Sequence, residues 1–338
     1  MEQRKIMALG RSSLVVSLPK HWTKLNQLNQ GDVVSLAIQR DQTLVVLPGV
    51  ERKKESKQIT LHIDPSAREV MIIRSIIACY LNGYSSIRLV SKGIFSAAQQ
   101  TAIRHIVRVL YMRILESDAK TIYMQTLLDE SRASVVTSLR RMHLISSSMC
   151  RDAFNSLKSR DAKLARAVYN LDDDVDHFSF FLLRLLRSAA LEPTLANQLD
   201  LEPIDCLDYQ TLVHRIEHVA DHANNIARNV IMLDGRKQRI SDPVLDLMAT
   251  SGDIAVNSYN MAIEAFFSKD VENSDKIIGK QEKIEKVDLD IASKSFVSDK
   301  TPFVVCASCS IRDSIKRIAE YAADIAEITI NRAYKAIS

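Results

Sequence analysis

Two stretches of the chain, HRIEHVADHANNIA (214–227) and SIKRIAEYAADIAE (314–327), decide the fold because they repeat one helical pattern. The NIA of the first stretch falls on the DIA of the second at an offset of 99 residues. The preceding helix repeats as well, since DDDVD (172–176) aligns with QEKIE (281–285) at an offset of 109. Recurrence at a fixed spacing is typical of tandem structural repeats. The sequence therefore predicts two related helical units in the C-terminal part of the chain.

Hydrophobic periodicity of long helices surrounds these stretches from residue 129 onward. Proline and glycine separate the segments, and a longer connection over 191–201 accounts for the difference between the two offsets. We predict two units, 129–235 and 236–338, that form a pair of three-helix bundles and complete each other's core. The six predicted helices cover residues 130–157, 160–190, 205–233, 241–268, 270–298 and 305–336.

The composition is that of a globular chain with more than one domain. Of its 338 residues, 46% are hydrophobic and 25% are charged, which excludes wholesale disorder. Every apolar run is shorter than the roughly 18 residues that span a bilayer, and the first ten residues lack a signal-peptide core. The five cysteines are scattered and odd in number, unlike a secreted disulfide framework. We expect a cytoplasmic, multidomain, mainly α protein without membrane insertion.

Residues 59–128 alternate strand and helix patterns and predict a small α/β module. Pro65, which follows an aspartate, marks the start of its first helix, and Gly83 marks the end. The module contains no phosphate-binding glycine loop or other catalytic motif. Its predicted elements are strands at 59–63, 86–90, 113–116 and 121–127 and helices at 65–81 and 95–111.

Residues 1–50 predict a small β domain, which a charged linker at 51–58, ERKKESKQ, joins to the rest. Glycine and proline separate four short runs of β-branched and apolar residues. Because about 50 residues bury too little surface to be stable alone, two chains are expected to share one barrel as a homodimer. The predicted strands are 4–9, 13–18, 32–38 and 43–47, with a helical turn at 21–25.

Positive charge is concentrated at the N-terminus, although the net charge of the chain is only +4. Residues 1–58 hold ten Lys and Arg against five Asp and Glu. This asymmetry indicates that the N-terminal domain contacts nucleic acid or another polyanion, and a solvated basic face is the alternative.

Two pairs of acids in the first helical unit are the strongest candidates for chemistry. Asp172 and Asp176 lie four residues apart, as do Glu217 and Asp221, so each pair projects from one face of its helix. If the two helices face each other, four carboxylates converge, and a divalent or trivalent cation would relieve their repulsion. His222, beside Asp221, is a candidate nitrogen ligand.

The metal is not fixed by these residues. Oxygen ligands favour Mg, Ca, Mn or Fe, and a nitrogen ligand shifts the preference to Fe, Mn or Zn. The alternative for both acidic pairs is a solvated helix face.

The N-terminal strings GRSSLVVSLPKHW (10–22), LNQGDVVSLAI (28–38) and TLVVLPG (43–49) resemble the AbrB/SpoVT-type swapped-hairpin domain. The likeness covers residues 1–50 and implies that two chains interleave their hairpins and present basic residues to DNA. By position, the resemblance implies phosphate contacts from the residues Arg4, Lys5, Arg11, Ser12, Ser13 and Lys20.

The acidic pattern, D-x-x-x-D in one helix and R-x-E-x-x-x-D-H-A-x-N-I-A in the next, resembles the PhoU family of phosphate-uptake regulators. The likeness covers residues 129–338 as two tandem repeats, and it implies that Asp172, Asp176, Glu217 and Asp221 bind metal.

The second repeat departs from this pattern. At the matching positions it has Gln281, Glu285, Lys316 and Glu320. A lysine in place of an acid competes with a cation, because it pairs with a carboxylate itself. We therefore expect a metal site in the first repeat and a weak or absent one in the second.

Together the two resemblances predict a DNA-binding regulator of phosphate uptake in which a metal-binding sensory bundle controls an AbrB-like dimer. The alternative is a scaffold that does not bind DNA and docks on a phosphate transporter ATPase. No base or nucleophile accompanies the acids in a defined frame, so we expect no catalysis, and a metal-dependent oxidase or phosphatase is a remote third reading. The Cys306-Ala-Ser-Cys309 pair is expected to serve packing rather than metal binding.

Overall fold

The structure, a computed structural model, describes residues 2–38, 42–49, 57–299 and 301–335. The chain divides into two compact units between Ser56 and Lys57. Most of the predicted linker at 51–58 lies outside the described residues, and its last residue, Gln58, begins a strand.

The described residues of the first unit, 2–38 and 42–49, form two antiparallel hairpins and one short helix. Its elements are β1 Met7–Leu9, β2 Ser13–Val15, α1 Lys20–Leu25, β3 Val34–Ile38 and β4 Leu44–Pro48. Strand β1 pairs with β2, and β3 pairs with β4. Gly10, with φ of +70°, provides the left-handed residue that the first turn requires. Strands β1, β2 and β3 are shorter than predicted and β4 is shifted by one residue, but the small N-terminal β region is confirmed.

The second unit begins with an α/β module. Its elements are β5 Gln58–Ile63, α2 Glu69–Leu81, β6 Ser86–Ser91, α3 Ala97–Val109, β7 Met112–Ser117 and β8 Thr121–Thr126. The sheet has the order β5-β6-β8-β7, with β5 parallel to β6 and the other pairs antiparallel. Helix α2 starts four residues later than predicted because the Asp64 carboxylate accepts the amide of Ser66 and holds a turn there.

Helices make up the rest of the second unit. The first repeat contains α4 Val135–Ser159, α5 Ala162–Asn170, α6 Asp172–Leu191, α7 Pro193–Gln198 and α8 Pro203–Gly235. The second repeat contains α9 Asp242–Ser268, α10 Val271–Gly279, α11 Gln281–Ser298 and α12 Pro302–Ala333.

The predictions of one continuous helix over 160–190 and another over 270–298 were both wrong. The first breaks at Leu171 and the second at Lys280, positions that are related by the same offset of 109. At the first break the amide of Leu171 bonds to the carbonyl of Val168, which closes a tighter turn than an α-helix allows. Helix α4 also starts later than predicted, because a 3₁₀ turn occupies Glu130–Arg132.

One hydrophobic core runs through both repeats, as the prediction that each completes the other requires. Helix α12 packs along α8 and α9, and α4 packs along α8. A second core lies between the sheet and helices α2 and α3, and Phe180 of α6 reaches into it. Helix α6 therefore belongs to the bundle and also supports the α/β module. In the described part of the chain, no helix combines the length and apolar character that crossing a bilayer requires.

Candidate metal centre

The two predicted acidic pairs are brought together by α6 and α8. Asp172 is the first residue of α6, and Asp176 follows one turn later. Glu217 and Asp221 lie in the middle of α8, which packs against α6. The break at Leu171 places three consecutive aspartates in the first turn of α6, where negative charge interacts favourably with the helix dipole. The break thus fixes where the acidic helix begins.

Burial raises the pKa of all four carboxyls, and repulsion from neighbouring acids adds to this effect at Asp172, Asp176 and Glu217. Burial is the main cause for Asp176, whose pKa rises to about 7, and the charges of Asp172 and Asp221 add to it. Glu217 also reaches a pKa of about 7, mainly through burial and then through Asp221 and Asp176. The pKa values of Asp172 and Asp221 are raised chiefly by burial. Four acids that shift one another's pKa form a single electrostatic cluster.

The side chains of this cluster are close enough to repel but not gathered as ligands. Within the described ranges, no three His, Cys, Asp or Glu side chains stand close enough together to hold an ion. A cation would therefore need the four carboxylates to rotate toward one another. Like charges spread apart when nothing neutralises them, so this arrangement is the one that repulsion favours.

Asn224 belongs to the same cluster, although the sequence analysis did not include it. Its side chain hydrogen-bonds to Asp172 and lowers the pKa of that carboxyl against the other effects. Its buried Oδ1 has no hydrogen-bond partner within the described residues. Buried amide oxygens are normally paired, and hard cations accept amide carbonyls as ligands. The donor set of four carboxylates and one amide oxygen therefore fits a hard metal ion.

Two histidines near the cluster differ in what they contact. His218 Nε2 lies 3.4 Å from Glu217 Oε2, and its charge lowers the pKa of Asp221. His222, the predicted ligand, has Nδ1 3.2 Å from Ser314 Oγ on α12. The geometry places His218 nearer to the acids than His222, and the role of His222 as a ligand stays a prediction.

The second repeat contains cations where the first has acids. Lys316 Nζ lies 3.8 Å from Glu320 Oε1, and Arg317 lies 2.9 Å from the other oxygen of Glu320. Gln281 donates to the carbonyl of Ala319 at 2.6 Å. The predicted pairing of Lys316 with a carboxylate is confirmed, and this position is neutralised by the protein itself.

The start of α6 also contacts the α/β module. Asp173, next to the first acid of the cluster, has its carboxylate 3.1 Å from His105 and 3.7 Å from Arg108 of α3. One turn further, the ring of His177 meets the ring of Tyr111 edge to face. Each acid of α6 in the cluster therefore has a neighbour in sequence that contacts the module.

Arg184 provides the strongest attachment between α6 and the module. Its side chain is only 4% exposed, and its Nε lies 2.7 Å from Glu130. Its Nη1 donates to the carbonyls of Tyr80 at 2.7 Å and Tyr84 at 2.8 Å, at the C-terminal end of α2. A buried guanidinium with a carboxylate and several carbonyls is fully satisfied, so α2 is held firmly on α6.

The predicted DNA-contacting residues are all exposed. Arg4 lies 2.9 Å from Glu2, and Arg11 and Ser12 lie in the turn between β1 and β2. Lys20 begins α1. This exposure is compatible with a solvated surface as well as with phosphate contacts, so the DNA assignment, including Lys5 and Ser13, stays a prediction.

The thiol pair lies on the first turns of α12. Cys306 is exposed and Cys309 is half-buried, and both are free. Neither is grouped with other ligand side chains in the described part of the structure.

Comparisons with known proteins identify the family to which the helical part of the chain is related. The structure of PhoU from Pseudomonas aeruginosa matches with 20% identity and a TM-score of 0.50, covering 58% of this chain and 93% of that one. The phosphate transport system regulatory protein PhoU from Streptococcus pneumoniae matches with 15% identity and a TM-score of 0.49, covering 60% and 95%. No curated protein matches the chain. The sequence model of the PhoU domain matches twice, at residues 139–230 and 249–329, together just over half of the chain, which therefore belongs to the PhoU family.

Proposed function

We propose that this protein regulates phosphate uptake and that a metal ion in its first repeat controls DNA binding by an N-terminal dimer. The observation that carries the sensory part is the contrast between the repeats. Four acids with raised pKa values cluster in the first, whereas Lys316 and Arg317 neutralise the second. Among the described residues, no Lys or Arg forms an ion pair with the four acids of the first repeat, so this repeat is the one that a metal ion would neutralise.

The ligands in this proposal are Asp172, Asp176, Glu217 and Asp221, with the amide oxygen of Asn224 beside them. A bound Fe, Mn, Mg or Zn ion supplies positive charge between α6 and α8. The protein's own part is to hold the acids on two packed helices and to limit their contact with water. His222 remains a candidate nitrogen ligand.

The path from the ion to the rest of the molecule runs through α6. Asp173 and His177 follow the two acids of α6 in sequence. Asp173 contacts α3, His177 contacts Tyr111 just after α3, and Arg184 holds the end of α2. A shift of α6 toward α8 would therefore be transmitted to the α/β module by direct contacts. This gives the module, whose sequence carries no catalytic motif, the role of relaying the state of the cluster.

The first unit supports the dimer in this proposal. No described side chain between residues 2 and 49 is buried, and apolar residues such as Leu14 and Ile38 are 74% and 75% exposed. Such a unit lacks a core of its own, and a second copy would supply one. The basic residues Arg4, Lys5, Arg11 and Lys20 then contact DNA phosphates, with Ser12 and Ser13 beside them.

The experiment combines metal analysis with DNA retardation on the full chain. The variant Asp176→Asn/Asp221→Asn should lose bound metal, whereas the exposed control Asp246→Asn should keep it. The variant Arg11→Gln/Lys20→Gln should lose retardation of genomic DNA fragments, whereas Lys158→Gln/Lys163→Gln should not. Affinity for DNA should fall at least about tenfold between low and physiological salt, since phosphate contacts release counterions.

The alternative function, a scaffold that docks on a phosphate transporter ATPase, gives a different result. A chain that retards no DNA but is retained on the purified ATPase would replace the DNA-binding proposal with the scaffold. If the chain bound no metal at all, the sensory part of the proposal would be wrong. DNA retardation alone would then test the proposed role of the N-terminal unit.

A further inference from the structure

A cavity of about 280 Å³ lies where the two repeats join, away from the acidic cluster. The ends of α4 and α8, the connection between α8 and α9, and the start of α9 enclose it. Ligand sites in proteins usually range upward from about 300 Å³, so the space suits a small molecule. Both repeats and the segment that connects them line the cavity.

The floor of this cavity is entirely aliphatic. It is formed by five buried side chains, Leu157, Val230, Leu233, Ile240 and Leu245. Among the described residues, no aromatic ring lines it, so these residues offer no surface for stacking a nucleobase. Aliphatic walls of this kind gain free energy by covering an alkyl group.

The rim is basic. Arg160, Lys237 and Arg239 line it, and Asp234 is its one acid. Arg160 is engaged, since its guanidinium bonds to Asp242 and to the carbonyl of Ile240 at 3.3 Å. Lys237 and Arg239 have no ion pair within the described residues. Two uncommitted cations therefore stand over an apolar floor.

We infer that this cavity binds a small amphipathic anion, with an alkyl group on the aliphatic floor and a phosphate or carboxylate at Lys237 and Arg239. The inference does not rest on the proposed function, because it involves neither the acidic cluster nor DNA. The backbone amides of Arg160, Lys237 and Gln238 donate to carbonyls in the last turns of α4 and α8, so these carbonyls are already paired. Lys237 and Arg239 lie on the connection between α8 and α9. An anion bound to both side chains gives each of them an ion-pair partner.

The test is calorimetric titration of the full chain with octyl phosphate below its micellar concentration. Octanoate has the same tail with a carboxylate, octyltrimethylammonium has a cationic head, and inorganic phosphate has no tail. Octyl phosphate or octanoate should bind, and whichever binds more tightly identifies the head group. Octyltrimethylammonium and inorganic phosphate should bind at least about tenfold more weakly.

Variants locate the site. The exposed pair Lys237→Gln/Arg239→Gln should weaken binding of the octyl anion about tenfold, and Lys283→Gln/Lys294→Gln, which makes the same charge change on α11, should not. Equal affinity for octyltrimethylammonium would overturn the inference, because the head would then not matter. Undiminished binding to Lys237→Gln/Arg239→Gln would also overturn the inference. The ligand would then bind elsewhere, for example on the exposed apolar residues of the first unit.

Discussion

Lys316 Nζ lies 3.8 Å from Glu320 Oε1, at the position where the first repeat has Glu217 one turn before Asp221. The same helical turn therefore carries an acid-acid pair in one repeat and a cation-acid pair in the other. Their consequences differ: in the first pair the charge of Asp221 helps to raise the pKa of Glu217, and in the second Lys316 offsets the charge of Glu320. An acidic residue at position 316 should therefore give the second repeat the acid-acid pair that the first repeat has.

Lys316→Glu is expected to lower the free energy of unfolding by about 1 kcal/mol, because it replaces an attraction with a repulsion on a half-exposed helix face. Lys316→Gln removes only the attraction and should cost about half as much. Urea unfolding in the presence of a chelator measures both. Equal stability of the two variants would show that Arg317 alone neutralises Glu320.

The first repeat should make the stability of the metal-free protein fall as pH rises. Asp176 and Glu217 have pKa values of about 7 in the folded chain and about 4 when unfolded. Between these values the folded state binds more protons, so the free energy of unfolding decreases from about pH 4 to about pH 7. Unfolding by urea at several pH values in chelator measures this slope.

Asp176→Asn/Glu217→Gln should flatten that slope, because neither replacement can ionise. At pH 8 in chelator the variant should be about 1–2 kcal/mol more stable than the parent chain. Added Mn²⁺ should stabilise the parent but not the variant, since only a ligand that binds the folded state stabilises it. The exposed Asp246→Asn serves as the control and should keep both the slope and the response to Mn²⁺. An unchanged slope in the double variant would mean that these two acids are ionised throughout.

The acidic cluster was predictable because it depends on local spacing. Asp172 and Asp176 share a face whatever the tertiary structure, and so do Glu217 and Asp221. Whether α6 and α8 face each other was left as a condition by the sequence, and the packing of these two helices meets it. Asn224 was missed because an asparagine on an apolar helix face gives no distinguishing pattern; only its contact with Asp172 identifies it.

The helix break at Leu171 was not predicted because leucine favours helix and neither glycine nor proline stands beside it. The break at Lys280 directly follows Gly279, a residue that often ends a helix, and this signal was missed. A weaker signal was present. Asp161 and Asp270 cap α5 and α10 at the same offset of 109, and the three aspartates from 172 suit a helix start. The role of Arg184 could not be predicted, since its partners lie 54 to 104 residues away in sequence.

Arg184→Met should strongly destabilise the second unit. The change leaves the carboxylate of Glu130, which is 15% exposed, and the carbonyls of Tyr80 and Tyr84 without their donor. Breaking a buried pair by removing one partner typically costs about 3–5 kcal/mol. Arg74→Met, on the exposed face of α2, should cost less than about 0.5 kcal/mol. Urea unfolding compares the two variants, and hydrogen exchange at the C-terminal end of α2 should rise only in Arg184→Met.

Gly252 in α9 lies directly against the Phe154 ring of α4. A Cβ built at this glycine would lie 2.5 to 2.8 Å from ring atoms of Phe154, far inside van der Waals contact. A Cβ at Gly279, the last residue of α10, would meet nothing within 4 Å. Glycine is therefore required by packing at the first position and not at the second.

Alanine at the two glycines should give opposite results. Gly252→Ala forces the Phe154 ring out of its place, and this overpacking, about 1–3 kcal/mol, exceeds the roughly 1 kcal/mol that alanine contributes within a helix. Gly279→Ala gains the higher helix propensity of alanine without a steric clash. This gain is smaller at a helix end, so the variant should be neutral or slightly stabilised. Urea midpoints of the two variants provide the measurement. If both variants were stabilised equally, the Phe154 ring would have moved aside without cost, and the contact between α4 and α9 would not depend on a small residue at 252.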